Sequence, residues 1–251
     1  MLPVLTALPC TEVTPQTDIR WAGWVLSDVV AEDDNEVLIG GSLTVYDTEG
    51  QLLSEGTPSE SSPGFYALDV SPDTEISLRI TGEDIHPTVW RSRTPRDDGY
   101  WVYGTLFGVG TEGLELTLSQ ITDMTGEEVP WLSDGDGALI YGAPTMRDAA
   151  DQAAWDGATL TALGGDGQAG TVVALAQDLE TGAVGLAAGA SGLVGPEEVS
   201  GPVVMFFAYD LAPGPVRLIA EGSDGRVAVA DWYSEDGDVL SGFHLTFPEE
   251  K

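Results

Sequence analysis

The chain has 251 residues, of which 42 are Asp or Glu and only 9 are Lys or Arg, so its formal net charge is −33. With so few cations, no surface can neutralise a row of phosphates, which excludes nucleic acid and anionic lipid as direct partners. Hydrophobic residues make up 42% of the sequence, too large a share for a disordered acidic tail, so we expect a folded protein of one large or two ordinary domains.

The first ten residues form an apolar stretch that ends at Cys10, the only cysteine. This stretch resembles the end of a bacterial lipoprotein signal, although Leu8 and Pro9 stand where small residues are usual. Residues 1–17 are therefore either a signal-like tether with Cys10 as a lipidation site or an ordinary tail that carries a thiol. No other run reaches the roughly 20 apolar residues of a membrane span, so we expect no transmembrane segment and attachment, if any, through a lipid anchor.

Most of the chain alternates apolar and polar residues in short runs separated by Gly, Pro, Asp and Ser, which is typical of antiparallel strands. The sequence from Asp47 to Gly50 predicts a tight hairpin, because glycine adopts positive φ at no steric cost. The predicted strands are 19–26, 37–46, 51–55, 65–70, 75–81, 88–92, 100–109, 138–143, 159–163, 171–177, 184–188, 203–209, 216–221, 227–233 and 241–247.

Helices are expected at two places only. Leu114, Leu118 and Ile121 share one helical face and Gly126 stands at a C-cap position, which predicts a short helix over 114–124. The alanine-rich residues 148–155 predict one or two helical turns. Residues 125–137 are rich in Gly, Glu, Pro and Asp and are interpreted as a linker between a first domain, 18–124, and a second, 138–251.

A weak internal repeat supports two domains of one kind, since each half contains a strand, an aromatic strand, a proline turn and a further strand. The clearest copy has Gly157-Ala158 and, later, the run from Phe207 to Gly214. At these residues the chain resembles the carboxypeptidase regulatory-like family of transthyretin-like (prealbumin-like) β-sandwiches. The first half departs from that pattern at Ser42 and Asp73. The resemblance implies Greek-key sandwiches of seven or eight strands that serve as binding or spacing modules, as in bacterial envelope lipoproteins, and it implies no catalysis.

The strand pattern predicts the same fold class without the family: an all-β protein with two antiparallel Greek-key sandwiches in tandem and little helix near the linker. Alternation along the strands predicts which side chains point into the first core. These are Leu43, Val45, Phe65, Ala67, Ile76, Leu78 and Ile80.

Catalysis is not expected. The two histidines, His86 and His244, belong to different halves and to no metal-binding or nucleophile motif, so each is interpreted as structural. We therefore assign no catalytic residues and no organic cofactor.

Calcium is the one cofactor that the sequence suggests. Asp134 and Asp136 alternate with glycines, an arrangement that lets carboxylates and backbone carbonyls surround a hard cation. The acidic loops 32–36 and 234–238 are similar. The alternative for each is a solvated turn, in which Asp and Gly are favoured for local reasons.

Two further groups of residues are candidates for a ligand or partner surface. Trp21 and Trp101 either line a groove for a sugar or a partner chain, or fill the core. Arg91, Arg93 and Arg96 either pair internally, with Asp97, Asp98 or loop carboxylates, or accept an acidic partner.

The function expected from the sequence is a non-enzymatic, extracytoplasmic interaction or surface-structural role, in the periplasm or at the cell surface, with a protein or glycan partner. An outer-membrane lipoprotein is one form of it. The alternatives are a carbohydrate- or ligand-binding accessory module and a self-assembling subunit of a surface filament. The strong negative charge reflects either an environment rich in cations or a genome that favours Arg over Lys.

Overall fold

The computed structural model describes residues 19–27, 36–37, 41–58, 64–83, 85–94, 102–126, 136–187, 198–243 and 245–249. Within them the chain is an all-β sandwich with nineteen strands and two short helices. None of the helices in these ranges is long and apolar enough to cross a membrane. The elements are β1 (Ile19–Ser27), β2 (Glu36–Val37), β3 (Ser42–Tyr46), β4 (Leu52–Glu55), β5 (Thr57–Pro58), β6 (Phe65–Val70), β7 (Glu75–Thr81), β8 (Ile85–His86), β9 (Thr88–Arg93), β10 (Val102–Gly110), α1 (Thr111–Thr125), β11 (Ala138–Gly142), α2 (Ala149–Trp155), β12 (Thr159–Leu163), β13 (Thr171–Gln177), β14 (Val184–Ala187), β15 (Glu198–Val199), β16 (Val203–Leu211), β17 (Gly214–Glu221), β18 (Val227–Ser234) and β19 (Val239–Ser241).

Both predicted helices are confirmed. α1 ends at Gly126, whose φ of 72° and N–H bond to the carbonyl of Thr122 form the left-handed cap that glycine favours. α2 begins after Asp148, whose side chain accepts the N–H groups of Ala150 and Asp151. Strands β6, β7, β12 and β13 begin and end at the predicted residues.

The strands form three sheets. The largest has ten strands in the order β15-β14-β13-β16-β11-β19-β9-β7-β3-β4. A six-stranded sheet has the order β5-β6-β1-β10-β8, with β2 paired to β1, and a three-stranded sheet has the order β12-β17-β18. Most neighbours are antiparallel, as predicted, whereas β19 is parallel to both of its neighbours, and the pairs β1–β10 and β14–β15 are also parallel.

The ten-stranded sheet contains strands from both halves of the chain, and β19 joins them. Leu240 in the middle of β19 lies opposite Ile140 of β11 on one side and Val89 of β9 on the other. All three residues of β19 are buried. The division into tandem domains at 125–137 stays a prediction, and residues 127–135 lie outside the described ranges. The hydrogen bonds of β19 nevertheless connect strands on either side of that boundary.

In the first half, one face of the ten-stranded sheet packs against the six-stranded sheet. Leu43 and Val45 of β3 and Leu78 of β7 share a core with Leu68 of β6 and Leu106 of β10. Each such side chain contributes roughly 1.5 to 3 kcal/mol when it is buried. This burial holds the two sheets face to face.

In the second half, the ten-stranded sheet is covered on both faces. On one face α1 packs Leu114 and Leu118 in a core that includes Phe207 of β16. On the other face the sheet of β12, β17 and β18 contributes Leu218 and Trp232 to a larger core. The second half is therefore a three-layered arrangement of helix, sheet and sheet.

The predicted inward face of β6 is wrong by one residue. Phe65 and Ala67 are only half-buried, whereas Tyr66 and Leu68 point into the core. Asp69 shares the face of Phe65 and Ala67, and its exposed carboxylate fixes that face toward water. The other predicted inward residues are confirmed as buried: Leu43, Val45, Ile76, Leu78 and Ile80.

The predicted C-terminal strand 241–247 is also wrong. The strand lies earlier, at β19, and beyond it the described chain makes one isolated bridge, between Leu245 and Pro144. Gly242 passes so close to Gly142 and to the ring of Phe206 that a Cβ at position 242 would meet that ring at 2.8 Å. The chain thus leaves the sheet where only glycine fits.

An ion pair joins the two halves beside β19. Arg79 of β7 donates its Nε–H to Oδ1 of Asp238 at 2.8 Å, and its Nη2 lies 3.3 Å from Oε2 of Glu235. The side chain of Asp238 is fully buried, and its Oδ2 accepts the N–H of Glu235. Burial raises the pKa of Asp238, and the nearby Arg79 opposes that rise. The buried carboxylate of Asp238 therefore depends on Arg79 for compensation of its negative charge.

The predicted hairpin after β3 is confirmed and also contacts the second half. Gly50 has a φ of 88°, and Oδ1 of Asp47 accepts the N–H groups of Glu49 and Gln51. The ring of Tyr233 covers Gly50 so closely that a Cβ there would overlap it. The hairpin is thereby held against β18.

We predict that Arg79→Ala lowers the free energy of unfolding by about 3 to 5 kcal/mol, because it leaves the buried Asp238 carboxylate without its cation. Urea denaturation followed by tryptophan fluorescence measures this. The control is Arg93→Ala, which removes a half-exposed pair with Asp73 and should cost no more than about 1 kcal/mol. Equal losses from the two variants would contradict a special role for the Arg79 pair.

Candidate functional site

A cavity of about 140 Å³ lies where β19 ends. β19 pairs with β9 as far as Ser241 opposite Trp90, and β9 then continues to Arg93. The chain after Ser241 turns out of the sheet at Gly242, and the space beside β9 is the cavity. Its polar and aromatic lining residues are Trp90, Arg91, Trp232, Ser241, Phe243 and Thr246, and the rest of the lining is aliphatic or glycine.

Aromatic rings form one part of the wall. Trp90 stacks on Phe243 with ring centroids 6.3 Å apart and planes at 21°. Phe243 is held in turn by the edge of Tyr141, at a centroid distance of 5.2 Å. Paired aromatic rings of this kind offer a rigid apolar surface to a ligand.

Two residues that line the cavity each carry a buried polar atom without a hydrogen-bond partner among the described residues. They are Trp232, with Nε1, and Ser241, with Oγ, and their side chains are 1% and 4% exposed. Leaving such a group unpaired costs about 1 to 3 kcal/mol. Both atoms are shielded from solvent, so other parts of these two residues face the cavity.

Among the described residues that line this cavity, Arg91 is the only charged one. The side chain is exposed, and its Nη1 donates to the carbonyl of Val229 on β18 at 3.0 Å. This bond fixes the arginine between β9 and β18. A guanidinium has five N–H donors, so the bond to Val229 leaves most of them for other acceptors.

Arg147 and Arg226 contact the C-terminal segment at Phe247, just after the residues of that segment that line the cavity. Asp151 of α2 is buried and accepts bonds from Nε of Arg147 at 2.7 Å and from Nη1 of Arg226 at 2.8 Å. Arg147 also donates to the carbonyl of Phe247 at 2.7 Å, one residue after Thr246 of the cavity wall. Hydrogen bonds from Arg147, more than any other contact, hold the pKa of Asp151 down at about 2, and burial opposes them.

Of the predicted calcium ligands Asp134 and Asp136, only Asp136 lies in the described chain, so the calcium site stays a prediction. Asp136 is exposed and lines an open depression with Asp210 and Asp236, and Gly237 donates its N–H to the carbonyl of Gly137. The structure thus brings two of the predicted acidic loops side by side. Within the described ranges no three His, Cys, Asp or Glu side chains are placed to hold a metal ion. Asp134 and the loop 32–35 lie outside those ranges.

Of the predicted surface residues, Arg91 belongs to the cavity and Arg93 pairs internally, with Asp73 at 3.0 Å. Trp21 lies in β1 opposite Val102, and its side chain is outside the described part of the structure. The remaining predicted residues and their proposed partners also lie outside it: Cys10, Asp97, Asp98, Arg96 and Trp101.

His86 lies half-buried in β8, opposite Val109 of β10. Burial lowers its pKa, and Glu115 of α1 acts in the opposite direction. His244 is outside the described residues. The expectation that both histidines are structural and that the protein is not an enzyme stays a prediction.

Sequence reasoning missed Trp232, Ser241 and Phe243 as site residues. Trp232 was visible only as one member of an alternating strand, whose period places it inside. That it lines a cavity depends on where β19 ends, some residues further along the chain. Arg91 could be singled out from the sequence because arginine is rare in it.

Comparisons with known proteins find only distant similarity. No protein-family model matches the sequence, and no curated protein matches it. One similar solved structure is the Bacillus anthracis TIE protein, with 12% identity and a TM-score of 0.28 over 91% of this chain. This chain spans about a third of that protein's length, 34%. Another is CBMbc (family CBM26) from Eubacterium rectale Amy13K in complex with maltoheptaose, with 12% identity and a TM-score of 0.24 over 93% of this chain and 98% of that one. Similarities of this size carry no information about function, and the resemblance to carboxypeptidase regulatory-like domains stays a prediction.

We predict that Asp151→Asn destabilises the protein at neutral pH and that the difference from the wild type shrinks in acid. The folded-state pKa of Asp151 lies below its unfolded value, so the unfolded chain binds the proton first. The contribution is complete above about pH 4 and declines as the pH falls toward 2. Urea denaturation at pH 7 and pH 3 measures the difference, with the exposed Glu180→Gln as the control for one lost charge. A difference between Asp151→Asn and wild type that grows in acid would refute this account of the network.

We also predict that Ser241→Ala leaves the free energy of unfolding of the unliganded protein unchanged or slightly higher, because it removes a buried hydroxyl that has no partner. The matched control is Ser77→Ala. Ser77 is equally buried, but its Oγ accepts the N–H of Tyr233 at 3.1 Å, so its loss should cost about 1 to 3 kcal/mol. Thermal and urea unfolding of both variants test this, and a loss at Ser241 as large as that at Ser77 would mean that its hydroxyl is satisfied in the free protein.

Proposed function

We propose that this chain is a non-enzymatic, extracytoplasmic binding protein whose β-sandwich holds a small polar ring, such as one sugar residue, in the cavity at the end of β19. The observation that carries the proposal is a cavity whose lining combines the stacked rings of Trp90 and Phe243 with the guanidinium of Arg91. Ligand sites in proteins typically combine apolar and aromatic walls with a few polar groups that fix orientation.

The size of the cavity supports this class of ligand. A cavity of about 150 Å³ binds benzene, and this one measures about 140 Å³, so it has room for about one six-membered ring. A sugar ring has a face of C–H groups that packs on aromatic rings such as Trp90 and Phe243. Its hydroxyls can accept hydrogen bonds from the guanidinium of Arg91.

This proposal belongs to the carbohydrate- or ligand-binding alternative and is compatible with an interaction role at the cell surface. The filament-subunit alternative depends on the N-terminal residues 2–14, which lie outside the described ranges. No observation in the described chain favours it over binding at the cavity.

Isothermal titration calorimetry with a panel of monosaccharides tests the proposal. Trp90→Leu should weaken binding about 3- to 10-fold, because it removes an aromatic ring on which the sugar packs. Leu179→Ala is the control, since it removes an exposed apolar side chain that does not line the cavity. Absence of binding by every sugar in the panel, or equal losses in the two variants, would overturn the proposal.

A further inference from the structure

We propose that the ring bound in this cavity carries a carboxylate, as a uronic acid does, and that Arg91 binds it. This inference rests on the proposed function and specifies its ligand class. It begins from the way in which the protein uses its few cations.

Arg91 differs from every other arginine whose side chain the structure describes. Five of these six arginines pair with at least one carboxylate of the protein, and Arg91 does not. The pairs are Arg79 with Asp238, Arg93 with Asp73, Arg147 with Asp151, Arg217 with Asp231, and Arg226 with Asp151 and Asp224. In a chain with 42 acids, an exposed arginine without an acidic partner is available to an external anion.

The surroundings of the cavity keep Arg91 available. About one residue in six of the chain is Asp or Glu, yet none of the described residues that line this cavity is an acid. Two other cavities in the described chain are lined by acids, one by Asp136, Asp210 and Asp236 and the other by Glu75 and Asp231. The acid nearest in sequence to the cavity wall, Asp231, is neutralised by Arg217 at 2.6 Å.

The position of Arg91 also suits a carboxylate attached to a ring. Its bond to the carbonyl of Val229 holds the guanidinium at the cavity. The planar fork of an arginine matches a carboxylate with two parallel hydrogen bonds, which are stronger than neutral ones. Because Trp90 and Arg91 line the same cavity, a ring packed on Trp90 would place a carboxylate substituent within reach of the guanidinium.

The net charge of −33 does not prevent such binding. At physiological salt the Debye length is about 8 Å, so most of the repulsion from distant carboxylates is screened, whereas a guanidinium in direct contact is not. The local arginine therefore decides the selectivity, and the remaining charge of the protein affects mainly the rate of encounter.

Calorimetry on the full chain with matched sugar pairs tests the inference: glucuronate against glucose and galacturonate against galactose, at constant ionic strength. In one of the two pairs we expect the uronate to bind about 10- to 100-fold more tightly than the neutral sugar, the range for hydrogen bonds to a charged group. Arg91→Gln should bring the two affinities together. Arg93→Gln, two residues further along β9, should leave their ratio unchanged.

Each outcome has a separate meaning. Equal affinities for acid and neutral sugar in both pairs, or an acid preference that survives Arg91→Gln, would overturn the inference while leaving the proposed function intact. Acetate that binds as tightly as the uronate would also overturn it, because the ring would then contribute nothing. Binding of neither member of either pair would overturn the uronate inference, and the proposed function would fall as well if no sugar of the monosaccharide panel bound. Thermal unfolding of both variants verifies that they are folded.

Discussion

The three-residue strand β19 is the element on which both the fold and the site depend. It is parallel to β9 on one side and to β11 on the other, so its few hydrogen bonds turn strands of both halves into one sheet. Because β19 stops at Ser241 while β9 continues to Arg93, the same strand also creates the cavity beside its end. A longer strand would complete the sheet and fill that space. The architecture and the binding proposal therefore share one cause.

The scarcity of cations is the second constraint, since a chain with 42 acids and 9 bases has few side chains that can compensate a buried carboxylate. Most of the described arginines form ion pairs with carboxylates of the protein. Arg79 compensates a buried carboxylate between the halves, and Arg147 and Arg226 together hold Asp151. Against this background, Arg91 is notable because its side chain bonds the backbone carbonyl of Val229 at the edge of a cavity whose described lining contains no acid. Because the other described arginines pair with carboxylates of the protein, the different environment of Arg91 is informative.

Local pattern predicted much of the fold, and contacts between distant residues decided the rest. Alternation located strands such as β7 and β13, and the apolar spacing of Leu114, Leu118 and Ile121 located α1, because these signals act within a few residues. The face of β6 was missed because both of its faces carry apolar side chains, and only Asp69 distinguishes them. The position of β19 was missed because its partners β9 and β11 lie far away in the sequence. The site was missed for the same reason, apart from Arg91, whose rarity is a property of composition.

The most direct test of the account is an NMR titration of the tryptophan indole N–H groups, of which the chain has only seven. Tryptophan-to-phenylalanine variants assign the signals of Trp90, Trp232 and Trp155. The account predicts that a bound uronate shifts the indole signals of Trp90 and Trp232, since both residues line the cavity and their environment changes. The signal of the buried Trp155, away from the cavity wall, should stay in place. A ligand that binds by calorimetry and leaves the Trp232 signal unchanged would contradict the assignment of the site to the end of β19.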